Sequence, residues 1–110
     1  MNLITKTKEY VTAFDKKNID SIENILSDDV TLFDPANPSG IHGKKEVISM
    51  IQNLFSQVSN LEFSARNIFL DNTTTIIEFN LKLDDKNLQG VDIIEWTMDE
   101  KIKELRAYLY

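Results

Sequence analysis

Apolar and amphipathic residues recur at helical spacing from the start of the chain. Leu3, Thr7, Tyr10, Val11 and Phe14 fall on one face, with Asn2 placed to cap the helix they predict. Asn18 caps a second, short helix with Ile19, Ile22, Ile25 and Leu26 as its apolar positions. Ser27-Asp28-Asp29 then reads as a stop and turn. Val30 to Asp34 alternates as a short strand, with Val30, Leu32 and Asp34 against Thr31 and Phe33. The following Asp34-Pro35-Ala36-Asn37-Pro38-Ser39-Gly40 holds both prolines and is expected to be irregular. Gly43 opens a third helix whose face carries Val47, Ile48, Ile51, Leu54, Phe55 and Val58.

After Asn60 the period changes from helical to alternating. Leu61, Phe63, Ala65, Asn67 and Phe69 are expected to face one way, and Asp71-Asn72 turns the chain. Thr74 to Leu83 is β-branched and aromatic, with Thr75, Ile77, Phe79, Leu81 and Leu83 on its apolar side. Asp84 to Asn87 is a hairpin turn by composition, Leu88 to Met98 the next strand, and Lys101 to Tyr110 the last. Helices first and an antiparallel meander afterwards indicate a single α+β domain over residues 1–110.

Composition narrows the chemistry. The 110 residues suffice for a core without disulfides or metal, and the absence of Cys removes thiolate ligands and Cys nucleophiles. With one His, and neither an EF-hand loop nor a His-Glu-x-x-His string, no metal or other cofactor is expected. The net charge of −6 argues against nucleic acid, since counterion release needs clustered Lys and Arg. Lys16-Lys17 and Lys44-Lys45 read as solvated helix ends. No apolar run approaches a membrane span, and Met1 to Lys8 carries no apolar leader core, so a cytoplasmic protein off the membrane is expected.

Three ionisable residues interrupt apolar stripes: Tyr10, Asp34 and Asp92. An unpaired buried polar group costs a few kcal/mol, roughly, and a buried charge more. Asp92 shares its strand face with Leu88, Gly90, Ile94 and Trp96. If that face points inward, burial raises the pKa of the carboxyl, and a protonated acid can donate to an oxyanion. With the faces reversed, Asp92 is a solvated residue beside a dimer contact. Asp34 ends a strand before a Pro-rich loop, which suits a general base at a cavity mouth and equally suits ordinary Asp-Pro turn chemistry. Tyr10 is a pocket donor or a core aromatic with a satisfied hydroxyl. His42 reads as a surface loop residue, and Arg106 as facing the same way as Tyr108 and Tyr110.

Several strings resemble the SnoaL-like and nuclear-transport-factor-2-like superfamily, and within it the ketosteroid isomerases. They are Tyr10-Val11-Thr12-Ala13-Phe14, Leu26-Ser27-Asp28-Asp29-Val30, Asp34-Pro35, Gly43, Gly90-Val91-Asp92, Lys101-Ile102 and Leu105-Arg106-Ala107, which together span nearly the whole chain. The resemblance implies a cone-shaped roll: a curved antiparallel sheet wrapped around three N-terminal helices, with an internal apolar pocket. It also implies catalytic roles for Tyr10, Asp34 and Asp92. Asp34 would shuttle a proton next to a carbonyl, while Tyr10 and protonated Asp92 hold the dienolate oxygen. Trp96, Ile51, Phe14 and Phe79 would contact a small hydrophobic substrate, and two copies would form a homodimer through the outer sheet face. In two respects the chain departs from the better-known isomerases. Ile51 stands where they place a supporting Tyr, and little chain follows the last strand to cover the pocket. A non-catalytic domain that binds a small hydrophobic ligand, or a dimeric interaction module of the same fold, remains the alternative.

Overall fold

The structure, a computed structural model, describes residues 2–110. Helix α1 spans Leu3–Asp15 and α2 spans Ile19–Ile25. Both start as their sequences predict: Asn2 Oδ1 accepts from the Thr5 amide and Asn18 Oδ1 from the Ser21 amide, satisfying donors that a helix start leaves free. Helix α3, Lys44–Gln57, follows Gly43 and buries Val47, Ile48, Ile51 and Phe55. Its last carbonyls are met by Lys17, whose ammonium donates to the carbonyls of Phe55 and Val58. Lys17 is therefore no solvated helix end; it is half-buried, with its charge set against the negative pole of α3.

Six strands form one sheet: β1 Leu26–Asp34, β2 Asn37–His42, β3 Leu61–Asp71, β4 Thr74–Leu83, β5 Lys86–Trp96 and β6 Ile102–Leu109. Their spatial order is β2-β1-β6-β5-β4-β3, with only the β1–β6 pair parallel. The sheet is curved and unclosed, and the helices cover one face. The core lies between, built from Leu3, Ile22, Val30, Val47, Ile77, Ile94, Trp96 and Ile102 among others. No helix among the described residues is long and apolar enough to cross a membrane.

Three expectations fail locally. Ser27-Asp28-Asp29 does not turn the chain; it lies within β1, where the pairing with β6 is irregular between Leu26 and Thr31. There Asp28 and Asp29 stay exposed while the strand passes through them. The segment with both prolines is not irregular either: after a tight turn at Pro35-Ala36 it becomes β2. An edge strand has one side with no ladder bond to make, so Pro38 is tolerated there. Gly40, at φ +90, takes up the irregularity opposite Phe33, whose ring would meet a Cβ at 2.8 Å. Finally, the β3–β4 register shifts between Ala65 and Asn67, which reverses the faces beyond that point. Ile68 packs on the core, and Phe69 is 51% exposed on the other face.

Candidate functional site

The face of β5 that carries Asp92 points inward. Asp92 is only 4% exposed, Ile94 0% and Trp96 1%, so the alternative with Asp92 in solvent does not hold. Gly90 on the same face brings β6 close, since a Cβ there would collide with the Tyr108 carbonyl and the Phe79 ring. Directly opposite Asp92 stand Ile77 of β4 and Ala107 of β6. With apolar neighbours on both sides, burial pushes the Asp92 carboxyl from 3.8 up to about 7.

Tyr10 approaches from α1 and is 3% exposed. Burial, then the nearby Asp92 charge, hold its hydroxyl well above the usual phenol range. Neither group makes a hydrogen bond to another described residue. Yet no wholly sealed polar side-chain atom among the described residues lacks a partner. Tyr10 and Asp92 therefore each keep a narrow exposure, near enough for the Asp92 charge to act on the Tyr10 hydroxyl, and without a hydrogen-bond partner among the described residues.

Asp34 stands apart from this pair. Phe33 is abreast of Arg106 on β6, so one residue on Asp34 comes abreast of Ala107, which faces Asp92. The row Asp34–Ala107–Asp92 thus crosses three neighbouring strands, and at the usual strand spacing the Cα atoms of the two acids are about 10 Å apart across the sheet. Asp34 Oδ1 accepts from the Ala36 amide (3.0 Å), the Asn37 amide (2.8 Å) and Asn37 Nδ2 (2.9 Å). This turn chemistry is real, and it also locks the carboxylate's orientation. A cleft of about 570 Å³ opens beside it, between Phe33, Pro35 and Pro38 on one side and Ala107, Tyr108 and Leu109 on the other. Arg106 reaches this cleft, but its guanidinium is held by Glu95 at 3.1 Å and by Glu104.

The four residues expected to contact substrate lie in the core. Trp96 Nε1 donates to Thr75 Oγ1 at 2.9 Å, and Ile51 is buried on α3. Phe14 packs on Phe63 and Phe55, with ring centroids 4.9 and 5.2 Å apart, and Phe79 on Phe63 at 5.1 Å. None of them lines the cleft beside Asp34. His42 ends β2, exposed, with Nδ1 3.3 Å from Thr31 Oγ1. Sequence reasoning missed Ala107. Its inward direction was legible from Leu105 and Leu109 two residues either side, but its pairing with Asp92 was not.

The SnoaL-like domain model matches residues 7–105. The chain belongs to the SnoaL-like domain family. Solved structures agree on the fold. An NTF2-like protein of unknown function from Cytophaga hutchinsonii superposes with a TM-score of 0.86 at 11% identity, over 100% of this chain and 91% of that one. A candidate ketosteroid isomerase from Kribbella flavida gives 0.84 at 17% identity, over 96% and 76%. An epoxide hydrolase from M. tuberculosis, of the LEH-like type, gives 0.80 at 18%, over 98% and 82%. No curated protein matches the chain significantly. At such identities the likeness carries the fold alone, and the neighbours' different names show that a SnoaL-like domain does not specify one reaction.

Proposed function

We propose that the protein is a ketosteroid-isomerase-like enzyme that shifts a C=C bond by moving a proton next to a carbonyl on a small hydrophobic molecule. Asp34 takes the proton from the carbon beside the carbonyl. The C–H electrons move into the carbon skeleton, and the carbonyl π electrons move onto oxygen. Tyr10 and protonated Asp92 donate hydrogen bonds to that oxygen, and Asp34 returns the proton at the far carbon of the dienolate. The observation that carries this reading is the burial of Tyr10 and Asp92, close enough for the Asp92 charge to act on the Tyr10 hydroxyl and hydrogen-bonded to no other described residue. Such a pair costs stability unless something uses it.

Phenols of graded acidity, as enolate mimics, test it without a known substrate. Wild type should bind them saturably, and Tyr10→Phe and Asp92→Asn should each weaken binding about tenfold, as the loss of one hydrogen bond to a charged group would. With a phenol acidic enough to stay ionised throughout, affinity should fall as pH rises through about 7, where Asp92 loses its proton. Asp92→Asn should abolish that dependence. Asp34→Asn should lower turnover by about 10²–10⁴ and leave phenol affinity close to wild type. If no phenol binds, the reading is wrong.

A second reading is a binding domain for small apolar molecules that performs no reaction. It is favoured by the three hydrogen bonds that Asp34 Oδ1 already accepts from its own turn. On that reading the two Asp→Asn variants change affinity and there is no turnover to lose. We also propose that two copies pair through the sheet face opposite the helices, where Phe69, Ile76 and Ile93 form an apolar row across β3, β4 and β5. Sedimentation equilibrium on wild type and Phe69→Lys would read this directly, the variant being monomeric.

A further inference from the structure

Strand β6 runs on past its parallel neighbour. The ladder between β1 and β6 ends at Phe33 and Arg106, whereas the ladder between β5 and β6 continues to Gly90 and Leu109. Ala107 to Leu109 therefore have one paired edge and one open edge. Main-chain groups alternate between the two edges of a strand. The Tyr110 amide donates to the Gln89 carbonyl at 2.9 Å, and the Tyr108 carbonyl is turned to Gly90. The Leu109 amide and carbonyl, and the Ala107 carbonyl, thus point away from β5 into the open edge. The next bond of the parallel ladder would need an amide at residue 35, which is Pro35 and has none. The chain turns off there to form β2 on the far side of β1. Beside β6 this leaves the cleft of about 570 Å³, with Pro35 and Pro38 opposite Tyr108 and Leu109, which are 52% and 45% exposed.

We propose that this open edge takes an extended, basic segment of a partner protein, which adds to β6 as a strand where β1 leaves it. The inference stands apart from the isomerase-like reading, since neither Tyr10 nor Asp92 lines the cleft. Main-chain bonds to Ala107 and Leu109 hold the segment, and its outward side chains lie against Phe33 and Tyr108, which share the face of Arg106. Charge selects the partner. Asp34 and Glu104 line the cleft, and the Arg106 guanidinium there is already held by Glu95 at 3.1 Å and by Glu104. Asp34 takes part in no ion pair among the described residues. A Lys or Arg on the segment therefore meets an acid, whereas an Asp or Glu meets like charge and no free cation. A second copy of this chain, at net charge −6, brings the same sign.

The test titrates the full chain, followed by amide NMR shifts, with three end-blocked peptides. They are Lys-Val-Val-Val-Lys, Glu-Val-Val-Val-Glu, and the lysine peptide N-methylated at all three valines. The lysine peptide should bind saturably and shift the amides of Ala107, Tyr108 and Leu109. At low salt the glutamate peptide should bind about tenfold more weakly or worse. N-methylation should cost about two- to tenfold, as the loss of a main-chain hydrogen bond does. Leu109→Pro removes the open-edge donor and no bond to β5, so it should weaken the lysine peptide by a similar factor with thermal unfolding near wild type. If that variant does not fold, Tyr108→Ser, which strips the outward wall and keeps every main-chain group, must weaken the peptide instead. No saturable binding of the lysine peptide overturns the proposal. Equal binding of the N-methylated and parent peptides overturns strand addition, and equal binding of the glutamate peptide overturns the basic partner. Self-association that Leu109→Pro abolishes would make the occupant a second copy and overturn the basic partner equally.

Discussion

Thr7 and Tyr10 lie about one turn apart on the same face of α1, and both residues are buried. Thr7 Oγ1 lies 2.6 Å from the Leu3 carbonyl and 2.8 Å from Thr75 Oγ1, which accepts from Trp96 Nε1. A hydroxyl has one proton, so the chain runs one way: Trp96 to Thr75, Thr75 to Thr7, Thr7 to the backbone. Every donor is spent. Tyr10, by contrast, feels the nearby Asp92 charge, and neither group makes a hydrogen bond to another described residue. The contrast separates polar burial satisfied within the fold from polar burial that is not. A satisfied network rigidifies its surroundings, whereas an unsatisfied pair raises the free energy of the native state.

The largest expected effect is the dependence of stability on pH. The folded chain holds the Asp92 proton more tightly than the unfolded chain does, so this contribution is fully present below about 3.8 and is lost as pH rises through about 7. Each tenfold change in proton affinity is worth about 1.4 kcal/mol, so the loss amounts to about 4 kcal/mol, more than half of it between pH 5 and 8. Glu95 is held below its ordinary value, chiefly by its hydrogen bond from Thr74 and also by Arg106. Urea unfolding of wild type at pH 5 and 8 should show the drop, and Asp92→Asn should flatten it. Equal stability of wild type at the two pH values would mean that Asp92 is not desolvated.

Next in size is Thr75→Val, which keeps the volume and strands the Trp96 indole N–H. A buried donor left without a partner costs about 1–3 kcal/mol, so Tm should fall by roughly 4–12 °C. Phenol affinity should stay near wild type. A loss of affinity as large as that of Tyr10→Phe would join the two regions into one site. The smallest effect is expected for Tyr10→Phe itself. With no hydrogen bond to lose, its stability should stay within about 1 kcal/mol of wild type. A destabilisation matching Thr75→Val would place Tyr10 among the structural groups and erase the contrast.

Much of the fold was legible in the chain. The caps at Asn2 and Asn18, the stripe of α3 and the alternation of β4 are local, and each needs only its own few residues to be read. The inward face of β5 was also visible as a pattern, though not its direction. The failures share a cause. Asp28-Asp29 and the two-proline segment look like turns because composition reports the local preference, but pairing with β6 and an exposed sheet edge overrode it. Phe69 left the core because a bulge at Arg66 reversed the alternation, and a bulge is a property of two strands together.

By itself the sequence determined which residue types could do chemistry, Tyr10, Asp34 and Asp92, and excluded thiol chemistry outright. It also set helices before strands, since both periods are written along the chain. Only the tertiary structure decided that Asp92 is buried near Tyr10, that Asp34 is held by its own turn two strands away across Ala107, and that Phe14 and Phe79 fill the interior. Those relations depend on the register between strands far apart in sequence and on how closely α1 docks. A linear pattern constrains each face, but not which position on one strand stands opposite which on the next.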